Sequence, residues 1–228
     1  MRLIARNPSD DLALPRIRRP EIKALTEGEI ARMLATATGT PVAVPLLVLV
    51  GTGMRRGELL GLRWRDIDLD GGTLVVAQTA QEAYKELHFK EPKTAKSRRR
   101  ITLPGVVVEA LRAEKAKQAE KTLASPPGGP NSGCVIRAPL GGPWRPSAFD
   151  HKWRRFKRNN AVPVRFHDLR HSHASQLLAA GVHVKVVSER LGHASVGITL
   201  DVYSHVIPAL QEEAAEKIDA GLRAALSS

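Results

Sequence analysis

Val42-Ala43-Val44-Pro45-Leu46-Leu47-Val48-Leu49-Val50 is the longest apolar run in the chain, and Gly51-Thr52-Gly53-Met54-Arg55-Arg56-Gly57-Glu58-Leu59 follows it directly. The run is too short to span a bilayer. It reads as a buried core helix beginning near Pro41, which Gly51-Thr52-Gly53 interrupts before a short helix over Met54–Leu62. Upstream, Thr26 followed by Glu29 forms a capping box for a helix through Met33 and Leu34. Downstream, Asp70-Gly71-Gly72 makes a turn into a β-prone stretch, Thr73–Gln81. Further strands are expected at Leu87–Glu91 and Arg98–Leu103, with Lys93–Ser97 between them, giving one small antiparallel sheet. Pro104 opens a helix to about Lys121. Ser125–Pro146 concentrates Pro and Gly and reads as a long loop with at most a short strand near Val135. Helices resume over Ser147–Asn159, His167–Ala180 and Val184–Leu191, with Gly181 and Gly192 where C-terminal caps belong, and a last helix starts at Pro208. The expected class is α+β, mainly α: a helical catalytic domain with a small antiparallel sheet. Residues 1–20 read as a Pro- and Arg-rich linker, 21–208 as the catalytic domain and 209–228 as a C-terminal helix.

Composition narrows the partner. The 228 residues carry 35 Lys and Arg against 23 Asp and Glu, a formal charge of +12, with 43% hydrophobic and 25% charged residues. This is a folded-domain composition whose positive field favours polyanions. The charge is concentrated centrally. Seven basic residues face two acidic ones between Lys85 and Arg100, and eight face two between Arg145 and Arg170, whereas Glu212, Glu213, Glu216 and Asp219 make the end of the chain acidic. Double-stranded DNA is the favoured partner, and a membrane or small-molecule substrate is disfavoured. The start of the chain lacks a secretory leader, and the single cysteine, Cys134, cannot form an internal disulfide, so a cytoplasmic location is expected.

Four segments carry chemistry: Thr52–Leu59, Lys93-Thr94 ahead of Arg98–Ile101, His167-Asp168-Leu169-Arg170-His171, and Leu191-Gly192-His193 followed by Tyr203. A phenol with a pKa near 10 is about one part in a thousand ionised at neutral pH, a deficit of roughly 4 kcal/mol that nearby cations offset. Attack on phosphorus loads charge onto the non-bridging oxygens, which permanently charged guanidiniums grip two at a time. A histidine can take or give a proton, and a lysine can protonate a leaving oxygen. Arg55, Lys93, His167, Arg170, His193 and Tyr203 supply each part. Arg56 should point away from Arg55, and Glu58 should brace the helix or Arg55 by hydrogen bonding. His167 and His171 stand at zinc-binding spacing, but Asp168 occupies the place where the zinc-protease motif needs a glutamate. Tyr84 is most simply structural, Trp64 and Trp153 are core anchors, and Trp144, at the border of the long loop, fits either a core or a loop residue.

Together these segments resemble the tyrosine recombinase, or phage integrase, family from about Arg18 to about Pro208. In that family the Arg of the Gly-x-Arg-x-x-Glu-Leu segment is the first catalytic arginine, here Arg55. His-x-x-Arg gives His167 and Arg170, Leu-Gly-His gives His193, and the nucleophile falls on Tyr203. The family's hairpin lysine falls on Lys93, with Lys96 in the same turn as the alternative. The resemblance implies strand cleavage through a 3′-phosphotyrosyl intermediate, no metal or other cofactor, and tetramers on DNA. It also implies a helical DNA-gripping domain ahead of this one, so the chain is expected to be an isolated catalytic domain. The terminal helix resembles a tail packed on a neighbouring protomer, or else packs in cis. A nicking-closing topoisomerase and a non-catalytic DNA-binding module are the alternative functions.

Overall fold

The computed structural model describes residues 24–91, 98–124, 133–139, 141–162, 164–203 and 207–226, without the side chains of 201–214 and 217. Lys93, Lys96, His205, the 1–20 linker and residues 125–132 and 140 of the Ser125–Pro146 loop therefore lie outside the described residues. Nine helices and five strands are described: α1 (Glu27–Ala37), α2 (Ala43–Thr52), α3 (Arg56–Leu60), β1 (Ile67–Asp68), β2 (Thr73–Val76), β3 (Thr79–Ala83), β4 (Glu86–Lys90), β5 (Arg99–Thr102), α4 (Gly105–Leu123), α5 (Pro146–Asn159), α6 (Phe166–Ala179), α7 (Val184–Leu191), α8 (Val196–Tyr203) and α9 (Ile207–Leu226). The mainly helical reading holds.

The local causes are visible. Thr26 and Glu29 form the reciprocal cap of α1, with Thr26 N donating to the Glu29 carboxylate at 2.8 Å. Helix α2 is apolar on every side because none of its faces is exposed: Leu46, Val48 and Leu49 lie in the core, and Val44, Leu47 and Val50 are partly buried against it. It runs through Gly51 and Thr52, further than the sequence suggests, and stops at Gly53 in the left-handed region (φ 65°). A β-carbon on Gly51 would lie 2.6 Å from Val107, so α2 and α4 meet closely there. Helix α5 buries an aromatic seam. The Trp153 and Phe166 rings stand 4.5 Å apart, and Trp144 meets Phe149 edge-on at 5.0 Å, which settles Trp144 as a core residue. Trp64 is only partly buried and donates its indole N–H to Gln118 at 3.0 Å.

The expected single sheet is instead two. β1, β2 and β5 form an antiparallel sheet, while β3 and β4 form a separate hairpin. The anticipated strand over Thr73–Gln81 breaks at Ala77-Gln78. There the Gln78 amide donates to Gly61 O at 2.8 Å and its oxygen accepts from Arg63 at 3.0 Å, tying the chain to the end of α3 instead of to a neighbouring strand. The hairpin turns at Tyr84-Lys85, both at positive φ (51° and 64°) as a tight two-residue turn demands. Tyr84 is fully exposed at this tip (101%), so it is not a packing residue.

Helix α8 was not foreseen. Val196, Gly197, Ile198 and Thr199 are poor helix formers, and packing overrides propensity: Thr199 is completely buried and α8 lies against α7. The turn between these helices, the end of α2 and the start of α6 face one another.

Candidate active site

Helix α7 ends at Gly192, in the left-handed region (φ 68°). The last carbonyls of a helix have no partner within it and carry the negative end of its dipole. Here three consecutive carbonyls are each bound by an arginine from a different element. Arg99, at the start of β5, donates to Arg190 O at 2.7 Å. Arg170 on α6 donates to Leu191 O at 2.6 Å. Arg55, capping α3, donates to Gly192 O at 3.3 Å. Gly192 is required twice over, by its φ and because a β-carbon there would sit 2.8 Å from the Arg99 guanidinium.

Arg170 is buried (2% exposed) and also donates to Gly53 O at 2.8 Å, so it ties the end of α2 to the end of α7. Arg55 is half-exposed, with 45% of its side chain accessible, and lies beside it at the rim. Its orientation comes from Glu58, whose carboxylate accepts from the Arg55 backbone N at 2.8 Å and from its guanidinium at 3.0 Å. Glu58 is itself gripped by both terminal nitrogens of Arg99, at 3.1 and 2.8 Å. Burial would raise the Glu58 pKa, but the Arg99 and Arg55 contacts outweigh it and hold the carboxyl below its ordinary range. Arg56 points elsewhere, pairing with Asp150, as helix geometry requires.

His193 follows Gly192, and its Nδ1 lies 2.8 Å from Thr199 Oγ1 on α8. Its pKa is lowered to about 4, first by burial and then by the charges of Arg170 and Arg55. His167 is lowered by burial, then by Arg170, with Arg55 also contributing. These shifts place both imidazoles in the field of both guanidiniums. His171 stacks edge-on against His167 at 4.6 Å and is likewise lowered to about 4, by burial and then by His167. Asp168 is committed to Arg165, whose backbone N it accepts at 2.7 Å. Arg55, Arg170, His167 and His193 are thus brought together. The backbone of Tyr203 ends α8, one turn beyond Thr199; its side chain, Lys93 and Lys96 lie outside the described residues.

Three participants escaped the sequence reading: Arg99, Arg190 and Thr199. Arg190 spans the back of the site, donating to Gly51 O at 2.8 Å, to Thr102 O at 2.9 Å and to His173 Nε2 at 3.1 Å. His173 Nε2 therefore accepts, its Nδ1 carries the proton, and it donates to Val50 O at 2.8 Å. Strand alternation held a signal for Arg99. With Ile101 buried, the residue two before it faces the same way, into the protein.

A pH dependence of stability follows. His171, His173 and His193 all sit at about 4 against an ordinary 6.5. Above pH 6.5 both folded and unfolded chains leave them neutral, and their contribution is fully present. As the pH falls toward 4 the unfolded chain takes up protons that the folded chain refuses, so stability is lost across that window. The melting temperature should decline steadily between pH 6.5 and 4.5; a flat profile there would contradict the buried neutral imidazoles.

The fold has solved counterparts. It superposes on the Tn1549 transposon integrase with a TM-score of 0.76 and 21% identity, over 93% of this chain and 73% of that one. The chain therefore shares the fold of that integrase. At the sequence level the family model of the phage integrase family matches residues 23–209. The chain is 31% identical to a XerC-like tyrosine recombinase of Caldanaerobacter subterraneus, over 87% of this chain and 54% of that protein. It is also 31% identical to the ICEBs1 integrase of Bacillus subtilis, over 95% of this chain and 60% of that protein. The chain belongs to the phage integrase family. It spans between half and two thirds of the length of these two relatives.

Proposed function

We propose that the chain breaks and rejoins DNA strands in site-specific recombination, of the kind that integrates or excises a phage or other mobile element. The observation carrying this reading is the convergence of Arg55 and Arg170 on adjacent carbonyls at the end of α7, beside two imidazoles in their shared field. Such a cluster suits a phosphodiester. The Tn1549 integrase structure holds transposon right end DNA, and the ICEBs1 relative is named for its integrase activity.

In the proposed reaction the Tyr203 hydroxyl oxygen attacks phosphorus while the bond to the 5′ oxygen breaks. This leaves a 3′-phosphotyrosyl link and a free 5′ hydroxyl. Arg55 and Arg170 neutralise the non-bridging oxygens. A neutral His193 or His167 can accept the phenol proton or donate to a phosphate oxygen, and Lys93, or Lys96 beside it, protonates the leaving 5′ oxygen. Rejoining is the reverse attack by a 5′ hydroxyl. The linkage conserves the energy of the phosphodiester, so the step needs no nucleotide. The basic centre of the chain binds the DNA backbone, and assembly into tetramers would bring two duplexes together.

The test is a suicide substrate, a half-site DNA whose released 5′ end is lost on cleavage. The chain should become covalently attached, with the adduct mapping to Tyr203 by mass spectrometry and forming equally in EDTA. DNA affinity should fall steeply with salt. An adduct on another residue, or one that EDTA abolishes, defeats the reading.

A further inference from the structure

Arg99 is as deeply committed to this site as Arg170, yet nothing in the proposed chemistry uses it. It is 8% exposed, and all three guanidinium nitrogens are already engaged within the protein. Its Nε–H donates to Arg190 O, and its two terminal nitrogens grip the two oxygens of Glu58, itself 5% exposed. Glu58 in turn holds Arg55 by backbone and side chain. The chain of contacts runs from the last turn of α7 through Arg99 and Glu58 to the rim guanidinium, which closes the ring by bonding Gly192 O.

We propose that Arg99 is a positioning residue that sets the orientation of Arg55 toward the scissile phosphate, an inference that rests on the function proposed above. Three physical features support it. An unrestrained arginine loses rotamer freedom on gripping an anion, and prior restraint removes that cost at the moment of reaction. A lone Glu58 would draw Arg55 inward as a full ion pair, whereas the bidentate Arg99 contact shares the carboxylate and leaves Arg55 tilted to Gly192 O. Arg99 and Arg55 also bond carbonyls two residues apart on one rigid helix end, so α7 serves as the ruler between them. A lysine could not serve, because one ammonium lacks the planar fork that meets Glu58 with two nitrogens and Arg190 O with a third.

The test compares Arg99→Met and Arg99→Lys with the unaltered chain. Without DNA, NMR order parameters of the Arg55 Nε–H group should fall in both variants while the fold, judged by circular dichroism, persists; an Arg55 side chain as ordered as before overturns the proposal. With suicide-substrate DNA at saturation, each variant should cleave about ten- to a hundredfold more slowly. In an Arg55→Ala background, adding Arg99→Met should slow cleavage no more than about twofold further, because the residue acts only through Arg55. Full additivity would reduce Arg99 to a general structural role. If the unaltered chain forms no adduct at all, the proposed function fails, and the order parameters alone decide the role of Arg99.

Discussion

Arg170→Ala is expected to slow DNA strand cleavage by about 10²- to 10³-fold, the usual loss when one charge-stabilising donor is removed from a reacting centre. It should also lower the melting temperature, and the pairing of the two effects is what tests the structure. Arg170 is 2% exposed and supplies hydrogens to Gly53 O and Leu191 O, the ends of two helices. Truncation leaves those carbonyls without that donor, at about 1–3 kcal/mol for each that stays buried and unpaired. Over both carbonyls, about 2–6 kcal/mol, that is a fall on the order of 5–20 °C for a chain of this size. Arg55→Ala provides the contrast. Its side chain is half-exposed and bonds one rim carbonyl and Glu58, which keeps both Arg99 nitrogens, so its loss should slow cleavage comparably while moving the melting temperature by only a degree or two. Single-turnover cleavage and thermal unfolding measured on the same two variants decide the matter. A melting temperature unchanged in Arg170→Ala, or a rate within tenfold of the unaltered chain, would remove Arg170 from the centre of the site.

The physical basis of that contrast shows what the sequence could and could not disclose. Arg55, His167, Arg170 and His193 were legible because each sits in a short segment whose neighbours have separate backbone duties. Gly53 and Gly192 adopt left-handed φ at helix ends, and Glu58 caps α3. The helices were legible where an apolar face or a cap marked them. The hairpin was misread because Thr73–Gln81 carries no glycine or proline to mark a break, while the break at Gln78 depends on hydrogen bonds to Gly61 and Arg63, which are distant in the chain. Helix α8 was missed because its β-branched residues and glycine argue against a helix, while the contacts that favour one, such as buried Thr199 and its bond to His193, are tertiary. Arg99 and Arg190 stayed hidden for a related reason. In a chain with 35 basic residues an individual arginine looks like surface charge until its partners are known, and theirs are backbone carbonyls, one buried carboxylate and the His173 imidazole.

Tyr203→Phe should abolish covalent attachment to DNA altogether while changing DNA affinity by less than about twofold. Phenylalanine keeps the ring and removes the one oxygen able to bond phosphorus, so the loss is complete instead of graded. Affinity depends mainly on the number of phosphates neutralised by Lys and Arg, a term the substitution leaves untouched. Tyr84, the other tyrosine of the chain, offers the matching control. It stands fully exposed at the β3–β4 turn, on a hairpin and not among the arginines of the α7 terminus, so Tyr84→Phe should leave the adduct intact. Neutral phenol is a poor nucleophile, which makes the cationic cluster and the oxygen interdependent. In Arg170→Ala the adduct should still map to Tyr203, only slowly, whereas in Tyr203→Phe no length of incubation should produce it. Gel shift and denaturing electrophoresis of the same reactions separate binding from attachment. A residual adduct in Tyr203→Phe, carried by Tyr84 or by a serine, would mean that the nucleophile is not delivered by the end of α8.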